Sequence, residues 1–410
     1  MAFTETTHTS YFSRIKNAFA GIVIGLIMFV AAFPLLWWNE GNSLKTIKML
    51  KEVESSLVNV TSDQIDPAND GKLVHTSGPT TTADKVVDTP FGISENAIRL
   101  RRTALIYQYE EEKHSKEKKK VGGGTTTETT YTYEAGWHDR PIPSNDFKDP
   151  EYKGENGSGA MAHKSDTFDA QKVELGAFQL NQNLIDQINN WEGYSADPAT
   201  LPETTKAKAK PYQGGYYFGE NPDSPVIGDL KVSFQIVKPS EASVIAQQHG
   251  NSFTTFKSKV EKTFEKLTVG IVSAEEMIAE AAKKNKLITW AIRLGGFFLM
   301  FFGMSLMMKP LSVLADVLPP IGSLIGMGTG FVAGIMAFMF STLTIGVAWV
   351  RFRPLVGIPI LLLSAGCIVM MVMRKKNKAI PATAGGSLPP PAAPPPPAAP
   401  PPPPPPPPSA

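Results

Sequence analysis

Cysteine is almost absent from this chain of 410 residues, and that absence limits the chemistry that the chain can carry out. The one cysteine is Cys367, so no disulfide can form within the chain and no pair of thiolates can bind a metal. Cys367 lies inside an apolar run, where a free cysteine behaves as a small buried hydrophobic residue.

An excess of charge of one sign is also lacking. The chain has 40 Lys and Arg residues against 38 Asp and Glu residues, which gives a net charge of +2. Proteins that bind nucleic acid present a strongly basic surface. We therefore expect no nucleic-acid partner.

The sequence motifs of common hydrolases, nucleotide-binding proteins and zinc enzymes are missing. None of the six histidines lies in a His-Glu-x-x-His motif. The chain has neither a Gly-x-Ser-x-Gly motif nor a phosphate-binding Gly-x-x-x-x-Gly-Lys motif. The sequence therefore predicts no catalytic residue, no cofactor site and no metal site, and we expect the protein not to be an enzyme.

Long apolar runs, by contrast, dominate the two ends of the chain. Each of four runs is about 19 residues or longer, at residues 18–38, 287–308, 321–350 and 355–373. An α-helix rises ~1.5 Å per residue, so about 20 residues cross the hydrocarbon core of a bilayer. The sequence therefore predicts four transmembrane helices in contact with membrane lipid.

Arg293 is the one charged residue within these four runs. A charge inside a span can belong to an ion pathway. Arg293, however, lies about two turns from the start of its helix, and its long side chain can extend to the membrane surface. We expect this second arrangement, because an ion conductor would place several ionisable groups in its spans.

The short segments between the predicted spans differ in charge. The side that holds both termini carries seven Lys and Arg residues, whereas the opposite short loop carries only Arg351 and Arg353. Positive charge favours the cytoplasmic side. We therefore expect a cytoplasmic N-terminus, residues 1–17, and a cytoplasmic C-terminal tail, residues 374–410.

Residues 39–286 are predicted to form one large domain outside the cytoplasm. The fold class is thus a multi-pass α-helical membrane protein with four spans and a large β-rich α+β extracytoplasmic domain. A short helix at 43–54 is expected to lead off the membrane. Alternation of apolar and polar residues predicts strands at 56–60, 72–75, 98–109, 129–134, 215–218, 229–237 and 242–247.

Three local patterns within this domain give sharper expectations. Residues 110–124 form a charged run that ends in glycines, and we expect a solvated loop there. Ser273 and Glu276 form a capping box, from which a helix should continue without a break into the second span. Residues 91–98 resemble residues 178–185, either because a β-rich module was duplicated or by chance.

The tail, residues 374–410, consists mainly of Pro and Ala beyond its basic start. Such a composition cannot form a core and favours disordered, extended polyproline II structure. The tail either binds a partner of the SH3 or WW kind or serves as a bare spacer.

Glycine recurs at every fourth position of the third span, at Gly322, Gly326, Gly330 and Gly334. A stripe of this kind lets two helices approach closely within a membrane. The partner helix belongs either to the same chain or to a second copy in a homo-oligomer. On either reading, Gly330→Leu is expected to do more harm than Ala333→Leu.

Several stretches resemble the transmembrane protein 43 (LUMA) family. The match covers residues 12–375, nearly everything but the tail. It includes residues 33–41 (FPLLWWNEG), 71–75 (GKLVH), 102–110, 175–178 (LGAF), 221–234, 243–248 (SVIAQQ) and 290–293 (WAIR), together with Trp349, Arg353 and Pro354.

The resemblance implies four spans, a large lumenal or periplasmic domain and no catalytic residues. Eukaryotic members reside in the endoplasmic reticulum and inner nuclear membrane and organise membrane proteins, with lamins and emerin among their partners. In a bacterium the same architecture implies an inner-membrane protein. We therefore expect a non-enzymatic scaffold that self-associates and binds other membrane proteins. The alternatives are a channel or transporter component, or an enzyme that acts on lipid or cell envelope through a site in residues 39–286.

Overall fold

A computed structural model describes residues 2–157, 160–355 and 357–359. Its helices include three long ones, which make up a bundle, and two of a single turn. In chain order they are α1 (Tyr11–Ser56), α2 (Gln182–Ile185), α3 (Glu203–Lys206), α4 (Ala274–Ala315) and α5 (Pro319–Phe352).

The strands form two large sheets and two small hairpins between α1 and α4, and β1 precedes α1. In chain order they are β1 (Ala2–Thr9), β2 (Val58–Asn59), β3 (Leu73–Thr81), β4 (Val86–Asp88), β5 (Ile93–Glu95), β6 (Arg99–Lys119), β7 (Thr125–His138), β8 (Asp166–Asp169), β9 (Glu174–Leu175), β10 (Phe178–Gln179), β11 (Glu192–Tyr194), β12 (Lys210–Tyr212), β13 (Gly215–Phe218), β14 (Leu230–Val237), β15 (Glu241–His249), β16 (Ser252–Thr254), β17 (Phe256–Lys257), β18 (Thr263–Phe264) and β19 (Lys266–Val269).

The two large sheets share one hydrophobic core. The first follows the order β1-β7-β6-β14-β13-β12, with β8 added to β6 and β11 to β14. The second follows the order β19-β15-β16-β10-β9-β3-β2, and β15 also pairs with β3. Every second residue of β6 is buried from Leu100 to Ile106, which is the alternation expected for a strand with one face on a core. The β-rich domain predicted from the sequence is therefore present.

Helices α1 and α4 run antiparallel and extend beyond the bundle into the sheet domain. The end of α1 packs with the start of α4 in a second hydrophobic cluster, through Met49, Val53 and Met277. Strand residues of the second sheet, including Leu73 and Ile245, belong to the same cluster. Two continuous helices therefore connect the bundle to the sheet domain.

Three helices are long and apolar enough to cross a membrane, namely α1, α4 and the apolar part of α5. They contain the predicted spans at 18–38, 287–308 and 321–350. The predicted fourth span at 355–373 lies almost entirely outside the described residues, as does the proline tail at 374–410. The segment at 43–54 is not a separate helix, because α1 continues to Ser56.

The capping box at the start of α4 is confirmed. Ser273 accepts a hydrogen bond from the Glu276 N–H, and the Glu276 side chain accepts from the Ser273 N–H. The helix then continues to Ala315 and, as predicted, enters the apolar region without a break.

The expectation of a solvated loop at residues 110–124 is wrong. Strand β6 extends to Lys119, and β7 starts at Thr125, so the charged residues belong to a long hairpin. β7 is rich in threonine, whose branched side chain favours strands. The whole of β1 pairs with residues 125–132 of β7. We call β1, residues 107–119 of β6, and β7 the polar ribbon.

The tip of the polar ribbon lies against the end of the bundle opposite the sheet domain. Lys119 Nζ lies 2.7 Å from Asp316 Oδ1, and Arg14 Nη2 lies 2.5 Å from Asp316 Oδ2. The Gly122 N–H donates to the Val317 carbonyl oxygen at 3.1 Å. The contacts join the tip to the start of α1 and to the connection between α4 and α5.

The two similar segments of the sheet domain adopt different structures. Residues 182–185 form a helical turn that Asn181 caps, whereas at the equivalent residues 95–98 a strand ends at Glu95 and no helix follows. Phe91 and Phe178 are nevertheless both buried in the main core. The shared pattern therefore reflects similar burial and not a repeated unit of structure.

Candidate functional site

A row of polar side chains lies inside the bundle at the end nearest the sheet domain. Asn285, Thr289 and Arg293 recur every fourth residue on α4, so they share one face of that helix. This face meets the polar residues of α1 that follow its apolar run, and Trp349 of α5 closes the row. We call Asn39, Glu40, Ser43, Asn285, Thr289, Arg293 and Trp349 the polar row.

Glu40 is the centre of this row, and its side chain is fully buried. Arg293 forms a two-pronged ion pair with it, with Nε 2.6 Å from Oε1 and Nη2 2.8 Å from Oε2. The Trp349 ring N–H donates to Oε2 at 2.7 Å. A buried carboxylate is stable only when donors surround it, and three donors from two other helices do so here.

The remaining polar residues connect α1 to α4 directly. The Asn39 amide donates to the Thr289 carbonyl oxygen at 3.1 Å, and the Thr289 hydroxyl donates to Ser43 Oγ at 2.9 Å. Asn285 adds weaker bonds of 3.4 Å to the carbonyl and hydroxyl oxygens of Ser43. These bonds fix the register of the two helices at the boundary between bundle and sheet domain.

The guanidinium of Arg293 also lies against two indole rings. It is 4.8 Å from the ring centre of Trp290 and 5.6 Å from that of Trp349. The expectation that Arg293 extends freely to the membrane surface is therefore wrong. Its charge is held inside the protein by Glu40, a partner that lies 253 residues away in sequence.

An open groove of about 530 Å³ adjoins the polar row between α4 and α5. Its walls are mainly apolar and include Leu294, Phe297, Phe338 and Ile345. Hydroxyl groups come from Ser341 and Thr342, and Arg293 also lines the groove. The groove can accept an apolar chain.

The four predicted glycines of α5 do not share one environment. A Cβ at Gly322 would collide with Asp316, one at Gly326 would lie 3.0 Å from Ser312 Oγ, and one at Gly334 would lie 3.7 Å from the Phe301 ring. Gly326 and Gly334 therefore face α4 of the same chain, and Gly322 faces Asp316, the residue that follows α4. A Cβ at Gly330 would meet no atom within 4 Å.

The face of α5 that is most deeply buried lies beside the glycine stripe. Ala333, Ala337 and Ala348 are completely buried, and Ser341 and Thr344 are nearly so. Small residues at these positions allow close helix packing within the bundle. Sequence reasoning missed them because alanine, unlike repeated glycine, is common in helices of every kind.

Helices α1 and α4 approach each other closely at Gly25 and Gly303. A Cβ built on Gly25 would lie 2.5 Å from the Gly303 carbonyl oxygen, and one on Gly303 would lie 2.7 Å from the Gly25 carbonyl oxygen. Only glycine fits where two backbones are this close.

A second charged cluster lies inside the sheet domain. Arg102 Nη1 lies 2.5 Å from Oδ1 of Asp88, whose side chain is fully buried, and burial raises the pKa of that carboxyl despite the guanidinium beside it. His163 packs against the Phe91 and Phe218 rings, with ring centres 4.7 and 4.9 Å away. Burial, followed by the charge of Arg102, lowers the pKa of His163.

No group of three or more His, Cys, Asp or Glu side chains within the described part of the chain is arranged to hold a metal ion. The two ionisable residues of the polar row, Glu40 and Arg293, form an ion pair with each other. The polar row therefore joins the three long helices.

Comparison with known proteins gives a consistent result. Residues 106–354 match the family model described as Transmembrane protein 43. The chain is 32% identical to Transmembrane protein 43 of Rattus norvegicus over 363 residues, which is 86% of this chain and 89% of the relative. The human protein of that name is 31% identical over 361 residues (85% and 89%), and the Drosophila melanogaster homolog is 28% identical over 350 residues (84% and 92%). No solved structure matches the chain.

Proposed function

Because the chain belongs to the transmembrane protein 43 family, we propose that it is a non-enzymatic membrane scaffold. In this proposal the protein self-associates and holds partner proteins through its large extracytoplasmic domain. Its partners are other membrane proteins, and in a eukaryotic cell they include proteins of the lamin and emerin kind.

The continuity of α1 and α4 supports this proposal more than any other observation. Both helices run from the apolar bundle into the hydrophobic cluster of the sheet domain without an intervening linker. A flexible tether would let the domain move freely, whereas two packed helices hold it at a fixed distance from the bundle and in a fixed orientation. A fixed binding surface is what a scaffold needs.

The polar row supports the same reading. An ion pair inside an apolar bundle adds little stability, and its best documented use is to specify which elements pair and in which register. Glu40, Arg293 and Trp349 join three helices at the boundary with the sheet domain. They therefore fix the position of the domain relative to the membrane.

The compartment follows from the kind of cell. In a eukaryotic cell we propose the endoplasmic reticulum and inner nuclear membrane, with the sheet domain in the lumen. In a bacterium we propose the inner membrane, with the domain in the periplasm.

Chemical cross-linking of the full-length protein in native membranes tests the scaffold proposal. We expect an amine-reactive cross-linker to join other proteins, and second copies, to exposed lysines of the sheet domain such as Lys85, Lys172 and Lys206. Links between residues of the same chain are the internal control. The proposal fails if those internal links form in high yield and no link to another molecule includes the sheet domain.

A channel or transporter component is the second candidate. The apolar spans offer few polar side chains for a lining, which weighs against it. The polar ribbon is the one observation in its favour, because its charged strands reach the far end of the bundle.

A further inference from the structure

The polar ribbon joins the sheet domain to the opposite end of the helical bundle. At its base, the Tyr107 N–H donates to the Asp229 carbonyl oxygen at 2.8 Å, inside the first sheet. At its tip, Lys119 and Arg14 both contact Asp316, whose side chain is 1% exposed. The apolar parts of α1 and α4 lie between the base and the tip of the ribbon.

The ribbon is long enough to cross an apolar layer. The apolar run of α1, residues 18–38, spans about 31 Å at ~1.5 Å per residue. Residues 110–119 of β6 span about 33 Å at ~3.3 Å per residue. The two lengths agree, so the ribbon and the apolar helices extend over the same distance.

The side chains of the ribbon are incompatible with lipid. Nine of the ten residues from Glu110 to Lys119 are ionisable, and every residue from Glu112 to Lys119 is exposed. Strand β7 adds threonines and two further glutamates, Glu128 and Glu134. Hydrocarbon excludes charged groups of this number.

The backbone of the ribbon leads to the same conclusion. Within the described part of the chain, the outer edge of β1 and the outer edge of β6 beyond Tyr109 pair with no other strand. In hydrocarbon every backbone N–H and carbonyl group needs a partner, and strands at membrane depth occur only in closed barrels, inside protein or beside water. An open-edged ribbon at this depth therefore requires water.

We infer that the polar ribbon passes through the apolar layer and lines a water-filled space beside the bundle, with its tip on the side where α1 begins. Four Glu and four Lys residues lie between Glu110 and Lys119, so this segment carries no excess of one sign. The solutes that fit such a lining are water and small hydrated ions of either charge. The inference goes beyond the scaffold proposal, because it places residues near 120 on the opposite side from the rest of the sheet domain.

Cysteine accessibility tests this topology in the full-length protein. The background is Cys367→Ser, which removes the chain's single cysteine. Val121→Cys lies at the tip, where Val121 is 84% exposed, and Thr204→Cys lies on the exposed surface of the sheet domain. A membrane-impermeant thiol reagent added to one side of sealed vesicles should label only one of the two variants, and opened vesicles should allow both to be labelled.

A third variant tests whether water reaches the middle of the ribbon. The side chain of His114 is 61% exposed, and we expect His114→Cys to react with a small charged thiol reagent in sealed vesicles. The inference is overturned if Val121→Cys and Thr204→Cys are labelled from the same side, or if His114→Cys does not react from either side. Only variants whose elution volume in size-exclusion chromatography matches that of the parent protein are included. Lys118→Cys replaces Val121→Cys if the latter does not fold.

A cross-link tests the contact at the tip independently of any topology. Because Gly122 is hydrogen-bonded to Val317, cysteines at Val121 and Val317 should be joined in high yield by a short bifunctional thiol reagent. Val121→Cys paired with Thr204→Cys is the control and should give no intramolecular link. Absence of the Val121–Val317 link in a folded protein would show that the tip does not lie at the end of the bundle, and it would overturn the inference.

Discussion

At the scale of single residues, the pair formed by Glu40 and Arg293 explains how the bundle accepts a charge. The sequence showed that Arg293 lies inside an apolar run, and that observation was correct. It could not show the partner, because 253 residues separate the two side chains and the pairing depends on how α1 and α4 pack. Spacing within α4 did carry a signal, since Asn285, Thr289 and Arg293 share a helix face.

Arg293→Met is expected to destabilise the bundle strongly. Removing one partner of a buried ion pair leaves the other charge unpaired and costs about 3–5 kcal/mol. Glu40→Gln in the same chain removes that unpaired charge, so the double variant should recover part of the loss. Thermal unfolding of the purified full-length protein in detergent provides the measurement, and equal unfolding temperatures for Arg293→Met and the parent would refute the role given to the pair.

The lowered pKa of His163 predicts that the sheet domain is sensitive to acid. The folded state favours the neutral ring, because burial and the charge of Arg102 oppose protonation. The contribution of the neutral His163 ring to the stability of the domain is therefore fully present above the unfolded pKa of about 6.5. It is lost as the pH falls below that value toward the folded pKa of His163.

His163→Phe keeps a ring packed against Phe91 and Phe218 and removes the titration. We expect the fall in unfolding temperature between pH 7.5 and pH 5.5 to be smaller in this variant than in the parent. His249→Gln, a change at an exposed position, is the matched control and should behave like the parent. An unchanged acid sensitivity in His163→Phe would contradict the prediction.

At the scale of elements, local patterns predicted the three long apolar helices, the capping box and seven of the nineteen described strands, because each depends on residues close in sequence. The hairpin of β6 and β7 was missed from residue 110 onward. Its charged residues have low strand propensity, and the strand persists because the threonine-rich β7 and β1 supply pairing from elsewhere in the chain. The glycine stripe was recognised, but which of its members face α4 depends on the packing of α5.

Gly303→Val is expected to force α1 and α4 apart. Its Cβ would lie 2.7 Å from the Gly25 carbonyl oxygen and 2.8 Å from the Phe29 nitrogen. Overpacking of this kind costs about 1–3 kcal/mol. Gly295→Val on the same helix is the matched control, because a Cβ there meets nothing within 4 Å. If both variants unfold at the same temperature, the close crossing of the helices does not stabilise the bundle.

The structure reverses the order expected from sequence for two changes in α5. Ala333 is completely buried, whereas Gly330 has open space beside it. Ala333→Leu should therefore lower the free energy of unfolding of the monomer by about 1–3 kcal/mol, and Gly330→Leu should change it little. Chemical or thermal unfolding of the two variants in detergent would decide, and the opposite order would contradict the packing of α5.

At the scale of the whole molecule, the polar ribbon determines what surrounds the bundle. A Lys or Arg residue that faces lipid in a strand costs about 2–4 kcal/mol at the membrane centre, and an Asp or Glu residue costs less. The four Lys and four Glu residues from Glu110 to Lys119 would together cost as much as the total stability of a typical domain, about 5–15 kcal/mol, or more. The ribbon therefore does not face lipid, and the thiol-labelling experiment tests whether it lies beside water within the membrane.

The scaffold proposal is tested most directly by the number of copies in one particle. The parent protein is extracted from native membranes into nanodiscs, and the copies in each disc are counted by mass photometry. We expect more than one copy, and Gly330→Leu should reduce the number while the monomer remains folded, because the open side of Gly330 is then the face between copies. A parent protein that occurs as a single copy in every disc would contradict self-association and the scaffold function built on it.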